Sequence, residues 1–354
     1  MSFVVPVYSK GQINRAGDIL AEKIEHSEAE WDWANEVLAN WRGCHGYPMN
    51  TFQATLRMKL KTIDRDAIVA QRLKRAPSIV TKLQRFENMK LARMQDIGGL
   101  RAVVSTVARV RKLHTAYAET KFKHELISVK DYIAQPKTDG YRSIHVIYRY
   151  SNDRAPQYNG LSLELQMRTK LQHAWATSVE TMGTFLGQAL KSGRGEDDWK
   201  KFFAVAGAAL AVSEKTQPVP GFESCTQDEL FAKVAAAEAK LRVLEKLSGF
   251  AVAADKITTV RGQGAYHLIV LNSSTRTLKI IPYPISRLDE ANQEYAKIEA
   301  RTKAGESIEA VLVSAGPIDA LRKAYPNYFL DTQAFIKEIT RVILAAKVDS
   351  KKKS

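Results

Sequence analysis

The segment LSLELQMR, residues 161–168, constrains the fold more than any other stretch. Leu161, Leu163, Leu165 and Met167 alternate with Glu164, Gln166 and Arg168. An extended strand sorts two such sets onto opposite faces. The apolar set predicts a face against a core. The carboxylate, amide and guanidinium of the other set are costly to bury without partners. They suit a solvated face or a cleft that holds a metal and phosphates. For this strand by itself, the solvated face is the simpler reading.

Two further segments change that balance. In MQDIGGLRAVV, Asp96 precedes Gly98, Gly99 and a β-branched run containing Arg101. The glycines permit close backbone approach. An acid at the start of a strand can hold magnesium jointly with Glu164 from a neighbouring strand. Alternatively, Asp96 is a plain turn residue. In KDYIAQPKTDGYRSIHVIYRY, a Pro-Lys-Thr-Asp-Gly loop ends at Tyr141, with Lys130, Arg142 and His145 nearby in sequence. Such an aromatic can stack a base while the cations hold its phosphates; packing over the sheet edge is the alternative.

The rest of the chain frames these strands. Residues 14–41 read as helical, with apolar positions at Ile24, Trp31 and Trp33, and residues 50–75 as a second helix ending in QRLKRAP. A third helix, residues 78–89, carries the apolar stripe Ile79, Leu83 and Phe86, with Ser78, Lys82 and Arg85 on a different stripe. GLRAVVSTV, ELISVKDYI and SIHVIYRY read as strands beside LSLELQMR, with RVRKLHTAYAETKF a helix between the first two. The fold class is therefore α+β, a mixed β-sheet domain flanked by helices. Helical sequence resumes from residue 173 to about 213, QPVPG interrupts it, and a long helix follows over 227–247. Beyond Gly262 and Gly264 comes a ββαβα unit. This predicts a first domain over 1–260, a small C-terminal domain over 261–346 and a basic disordered tail over 347–354.

Composition narrows the chemistry. Lysine and arginine number 53 against 38 aspartates and glutamates, a surplus of 15. That favours phosphate-rich partners, nucleic acid or nucleotides. The two cysteines, Cys44 and Cys225, are far apart, and the histidines show no HExxH spacing. A metal is then expected on oxygen ligands, magnesium by default. No apolar run approaches the ~20 residues of a membrane span, and the start lacks the basic character of a secretory signal. A cytoplasmic protein with no membrane partner is expected.

DIGGLR, KDYI followed by GYRSIH, and ELQMRT, in that order, resemble the motifs of RelA/SpoT-type synthetases. RLKRAPSIVTKLQR resembles the ATP-binding helix of that family. The resemblance covers roughly residues 50–185. It implies a nucleotidyl/pyrophosphotransferase that moves pyrophosphate from ATP to a ribose hydroxyl. Arg72, Lys74, Ser78, Lys82, Arg85 and Arg101 would hold ATP phosphates. Asp96 and Glu164 would be the catalytic carboxylates and magnesium ligands, with Glu164 at the acceptor hydroxyl. Tyr141 would stack on the acceptor base, Lys130 and His145 would flank it, and Gln166 and Arg168 would support the site. Hydrolase members of the family carry an upstream His-Asp motif. No His-Asp dipeptide occurs here, which implies synthesis only.

The family includes synthetases that use GDP or GTP and a toxin branch that modifies the 3′ CCA end of tRNA. The charge surplus suits tRNA, which the basic runs over 59–75 and 109–123 would contact. An inactive RNA-binding module is a further alternative, against which the intact Asp96 and Glu164 argue. The C-terminal unit resembles the pseudo-zinc-finger antitoxin domain of CapRel-type fused toxin–antitoxin proteins. Tyr325 and Tyr328 fit the YxxY motif of those proteins, which restrains the enzyme at its ATP site. That resemblance implies release by a phage protein, often the capsid protein, in abortive infection. A monomer with no DNA partner is expected.

Overall fold

A computed structural model of the chain describes residues 3–119, 122–189, 196–259, 265–272, 275, 277–304, 306, 308–314 and 328–353. They fall into two compact units, Met1–Tyr132 with Ser143–Thr169, and Ile133–Arg142 with Lys170–Ser354.

The first unit is built on a five-stranded sheet: β1 (Ile68–Leu73), β2 (Gly98–Val104), β3 (Glu125–Asp131), β4 (Ile144–Arg149) and β5 (Ser162–Thr169) in the order β1-β2-β5-β4-β3. Only β2 and β5 run parallel, so the sheet is mixed as predicted. One face is apolar. Leu100, Ala102, Leu163, Leu165, Met167, Val146 and Tyr148 on it are buried. Helix α3 (Gly46–Ile63) and helix α5 (Val107–Ala118) cover it with Phe52, Leu56, Leu60, Val110 and Leu113. Each such side chain contributes about 1.5–3 kcal/mol when fully buried.

Three helical expectations change in this unit. The stretch 14–41 divides into α1 (Lys10–Leu20) and α2 (Glu28–Gly43). Ser27 starts α2 with a reciprocal capping box to Glu30, and Ile24, in the break, is 43% exposed. The helix expected over 50–75 stops at Ile63, where the buried Asp64 carboxylate accepts from the Ser105 and Asp66 amides at 2.7 and 3.3 Å. The chain then turns into β1, which pairs antiparallel with β2. The helix formers in IVAQRL hid a strand that the neighbouring ladder enforces. Helix α4 (Ala76–Arg85) ends before Phe86, so Ile79 and Leu83 are buried while Phe86 stands exposed.

The second unit combines helices α6 (Lys170–Ala189), α7 (Glu196–Ser213), α8 (Gln227–Leu241) and α9 (Val243–Thr259) with strands β6 (Tyr266–Asn272), β7 (Thr277–Tyr283) and β8 (Ile308–Ser314), helix α10 (Leu288–Lys303) and helix α11 (Tyr328–Lys353). The long helix expected over 227–247 breaks at Arg242, whose φ of 52° is left-handed. The Glu238 carboxylate then accepts from the Leu244 amide at 3.1 Å and serves the free N–H groups at the start of α9.

The ββαβα order is present, with the antiparallel sheet ordered β7-β6-β8. Leu268 and Tyr283 on one face pack with Ala291, Tyr295 and Ile298 of α10. Ile269 and Val313, on the opposite face, enter the core of the helices beside Phe202, Val234, Leu247 and Phe250. Phe335, Ile339 and Val342 of α11 are buried in that same core. The sheet thus shares a core with the helices that precede it. Residues 347–353 belong to α11. Among the described residues, no helix is long and apolar enough to cross a membrane.

Candidate active site

The second face of the first sheet is polar, and strand register builds it. Lys130 pairs with His145, His145 with Gln166, and Gln166 with Arg101, giving one row across four strands. In the adjoining row Arg72 lies opposite Gly99 and Gly99 opposite Glu164. Directly opposed residues on neighbouring strands share a face. The polar set of β5 therefore joins cations from β1–β4. Arg101 and Arg168 are buried, Arg72 and Ser78 half-buried, and Lys130 and Arg85 exposed.

Glu164 is the best-held carboxylate on this face. His145 Nδ1 lies 2.8 Å from its Oε1. Gln166 Nε2 donates to its Oε2 at 2.8 Å. Arg168 Nη2 in turn donates to Gln166 Oε1 at 2.6 Å. That last bond fixes the amide: with its oxygen committed to Arg168, the Gln166 nitrogen must face Glu164. Because a carboxylate only accepts, His145 carries its proton on Nδ1. Burial pushes the Glu164 pKa up. The His145 contact and the Gln166 hydrogen bond more than offset this, leaving the carboxyl below its ordinary range. Tyr132 stands edge-on to His145 at 5.3 Å and steadies the ring.

Asp96 sits just ahead of β2, between two lysines. Lys74 reaches its Oδ2 and Lys82 its Oδ1, both at 2.9 Å. Burial raises the Asp96 pKa, but the two ammonium groups pull it below the ordinary value. The Asp96 charge also raises the proton affinity of Glu164, so the two acids share one electrostatic neighbourhood. Among the described residues no three His, Cys, Asp or Glu converge as a metal cage. Magnesium does not need one; it takes one or two carboxylates and completes its shell with phosphate and water. Asp96 and Glu164 fit that donor set.

Gly99 is required here. A Cβ on it would lie 2.7 Å from the Glu164 carbonyl oxygen. Gly98 faces the other side, where a Cβ would strike the side chain of His45 at 2.7 Å. Burial lowers the His45 pKa to about 4. This support under β2, like Tyr132 beside His145, escaped the sequence reading, because only tertiary packing brings these residues there.

The predicted residues do not all lie in one unit. Arg72, Lys74, Ser78, Lys82, Arg85, Asp96, Arg101, Lys130, His145, Glu164, Gln166 and Arg168 belong to the first; Tyr141 belongs to the second. Tyr141 packs at 6.2 Å from Trp175, with the Lys137 ammonium 5.1 Å from its ring centroid. The loop carrying it is held where Gly140, at φ +93°, meets Gly207 of α7. Arg142 corrects an expectation. It is fully buried and donates to Glu214 at 2.6 Å and Thr216 at 3.2 Å, so it is a structural cation rather than a phosphate ligand. Tyr325 lies outside the described residues, and Tyr328 is described only as the first residue of α11.

The basic runs are also partly engaged. Arg109 pairs with Asp64, Arg111 with Asp131 and Lys123 with Asp153. Lys59 donates to the Ala116 carbonyl.

Part of the chain has counterparts in known proteins. Residues 71–183 match the region found in RelA / SpoT proteins. That region holds all five strands except the first three residues of β1, and it includes Asp96 and Glu164. GTP pyrophosphokinase YwaC from Bacillus subtilis is 31% identical over 115 residues, which cover 30% of this chain and 52% of that protein. GTP pyrophosphokinase YjbM, from the same organism, is 31% identical over 112 residues, covering 31% and 52%. The chain thus spans about half the length of these two curated relatives. Among solved structures, small alarmone synthetase 1 from Bacillus subtilis aligns with TM-score 0.41 at 22% identity, over 52% of this chain and 93% of that one. The same synthetase bound to its product pppGpp aligns with TM-score 0.40 at 26% identity, over 48% and 90%.

Proposed function

We propose that this chain is an ATP pyrophosphotransferase. The acceptor's ribose hydroxyl attacks the β-phosphorus of ATP, the bond from that phosphorus to the α-phosphate bridging oxygen breaks, and AMP leaves. The observation that carries this reading is the chain Arg168–Gln166–Glu164–His145, which holds an ionised carboxylate on a sheet face rich in arginine and lysine. A carboxylate held below its ordinary pKa is a weak base at neutral pH. Its role is to orient the hydroxyl and share a cation with Asp96. A bound divalent ion would neutralise phosphate charge and ease loss of the hydroxyl proton. Arg72, Lys74, Ser78, Lys82, Arg85 and Arg101 receive the triphosphate, for which positioning and charge neutralisation supply most of the catalysis. Lys130 and His145 receive the acceptor.

The acceptor we propose is the 3′ CCA end of tRNA. Internal ion pairs consume equal numbers of each sign, so the surplus of 15 cations persists after folding and favours a polyanion. GDP or GTP is the second reading, favoured by two relatives named as GTP pyrophosphokinases. Incubation with γ-labelled ATP and either deacylated tRNA or GDP and GTP separates the two. Label on tRNA supports the first, label on guanine nucleotide the second, and label on neither, with the wild-type chain and with Tyr325→Ala/Tyr328→Ala, refutes pyrophosphoryl transfer. On the first reading the C-terminal part restrains the enzyme through Tyr325 and Tyr328 until a phage protein binds it. Joint replacement of both tyrosines by alanine then makes the chain toxic in uninfected cells; harmless expression refutes the restraint.

A further inference from the structure

We infer that Lys74 and Lys82 form a counterion lock on Asp96 that makes nucleotide and divalent cation bind as a pair. The proposal rests on the reading above that this face receives ATP. It concerns how these residues behave before ATP arrives.

The geometry is specific. Both carboxylate oxygens of Asp96 are taken, Oδ2 by Lys74 and Oδ1 by Lys82. A cation approaching Asp96 in the nucleotide-free protein meets two ammonium groups already in the positions it needs. The three side chains are only 14–29% exposed, so solvent screens the pairs incompletely.

The backbones behind the lock are fixed. The Lys74 amide donates to the Ile97 carbonyl at 2.8 Å, which extends the β1–β2 ladder by one step and holds Lys74 alongside the approach to Asp96. The Lys74 carbonyl accepts from Arg42 Nε at 2.9 Å. Lys82 rides on α4, which is anchored by buried Ile79 and Leu83. Only the flexible lysine stems can respond to a ligand.

A triphosphate offers the ammonium groups a stronger partner than one carboxylate. When they turn to it, both oxygens of Asp96 are released at the moment a divalent ion must be held. Coupling of this kind is reciprocal: nucleotide raises cation affinity by the same factor as cation raises nucleotide affinity. The lock therefore disfavours both a metal-free nucleotide and a nucleotide-free metal in the site.

The test measures binding, using α,β-methylene ATP and Mn2+ by calorimetry with full-length protein. Asp96→Asn frees the lysines, so the analogue in EDTA binds about tenfold tighter than to wild type, and Mn2+ no longer improves it. Glu164→Gln removes the same charge from the same neighbourhood without touching either lysine, and its EDTA affinity stays within about threefold of wild type. The double variant Lys74→Met/Lys82→Met, without nucleotide, binds Mn2+ about tenfold tighter than wild type. An Asp96→Asn affinity in EDTA equal to wild type overturns the lock, as does an equal gain in Glu164→Gln or unchanged Mn2+ binding in the double variant. Failure of the analogue to bind any form under any condition, Tyr325→Ala/Tyr328→Ala included, overturns the ATP reading itself, so the two failures are distinguishable.

Discussion

Replacing Gly99 by alanine tests the link between strand packing and the candidate chemistry. The new Cβ lies 2.7 Å from the Glu164 carbonyl oxygen, where ordinary contact begins near 3.4 Å, so β2 and β5 must part by roughly 0.7 Å. The obstacle is a backbone oxygen in the centre of a five-stranded sheet, which no rotamer change can move aside. Overpacking of this kind costs about 1–3 kcal/mol. Glu164 is the residue displaced, and a shift approaching 1 Å costs on the order of 10²-fold in rate. Gly99→Ala should therefore lower kcat for label transfer from γ-labelled ATP by roughly 10–100-fold, well beyond the small loss of folded protein. Gly183→Ala is the matched control, because its Cβ meets nothing within 4 Å on an exposed helical position. It should raise stability by roughly 0.5–1 kcal/mol and leave the rate unchanged. Urea unfolding and the transfer assay, run on both variants, decide the matter. A Gly99→Ala protein with wild-type kcat refutes the argument that Gly99 positions Glu164.

Three other outcomes follow from the same geometry. Glu214→Gln strands the fully buried Arg142 guanidinium and should cost about 3–5 kcal/mol in urea unfolding; a loss under about 1 kcal/mol would show that the cation finds another partner. Phe335→Ala, at a fully buried position of α11, should cost about 3–5 kcal/mol, whereas an unaltered midpoint would mean that the C-terminal helix does not share the helical core. Asp96 has a folded pKa below its ordinary value of 3.8. Its ion pairs therefore stabilise the protein above roughly pH 4, and that contribution is lost as pH falls through the lower folded value. Asp96→Asn should flatten this acid limb in thermal melts below roughly pH 4, and an unchanged limb would deny the pairing.

Much of the site was legible in the sequence because β-strand alternation is a local rule. The two faces of residues 161–168 could be assigned from spacing alone, and so could the role of Gly99 in close approach. The solvated alternative for that strand did not hold: Gln166 and Arg168 are buried and bonded to each other. Helix boundaries were less legible. Residues 70–73 carry helix-forming side chains, and only pairing with β2 makes them part of a strand. Arg142 looked like a phosphate ligand because sequence distance from Tyr141 says nothing about direction. It turns instead to Glu214, 72 residues away.

The sequence by itself determined the strand faces, the candidate acids Asp96 and Glu164, and the positive charge of the whole. Those follow from residue type and spacing, which are complete in one dimension. Tertiary structure decided the rest. Register across β5, β4 and β3 set Gln166 beside His145 and His145 beside Lys130. Folding also placed Lys74 and Lys82 on one carboxylate and merged the C-terminal sheet with the helical core. Those outcomes depend on which distant partners compete best for each polar or apolar group. That competition is settled only when the whole chain has packed.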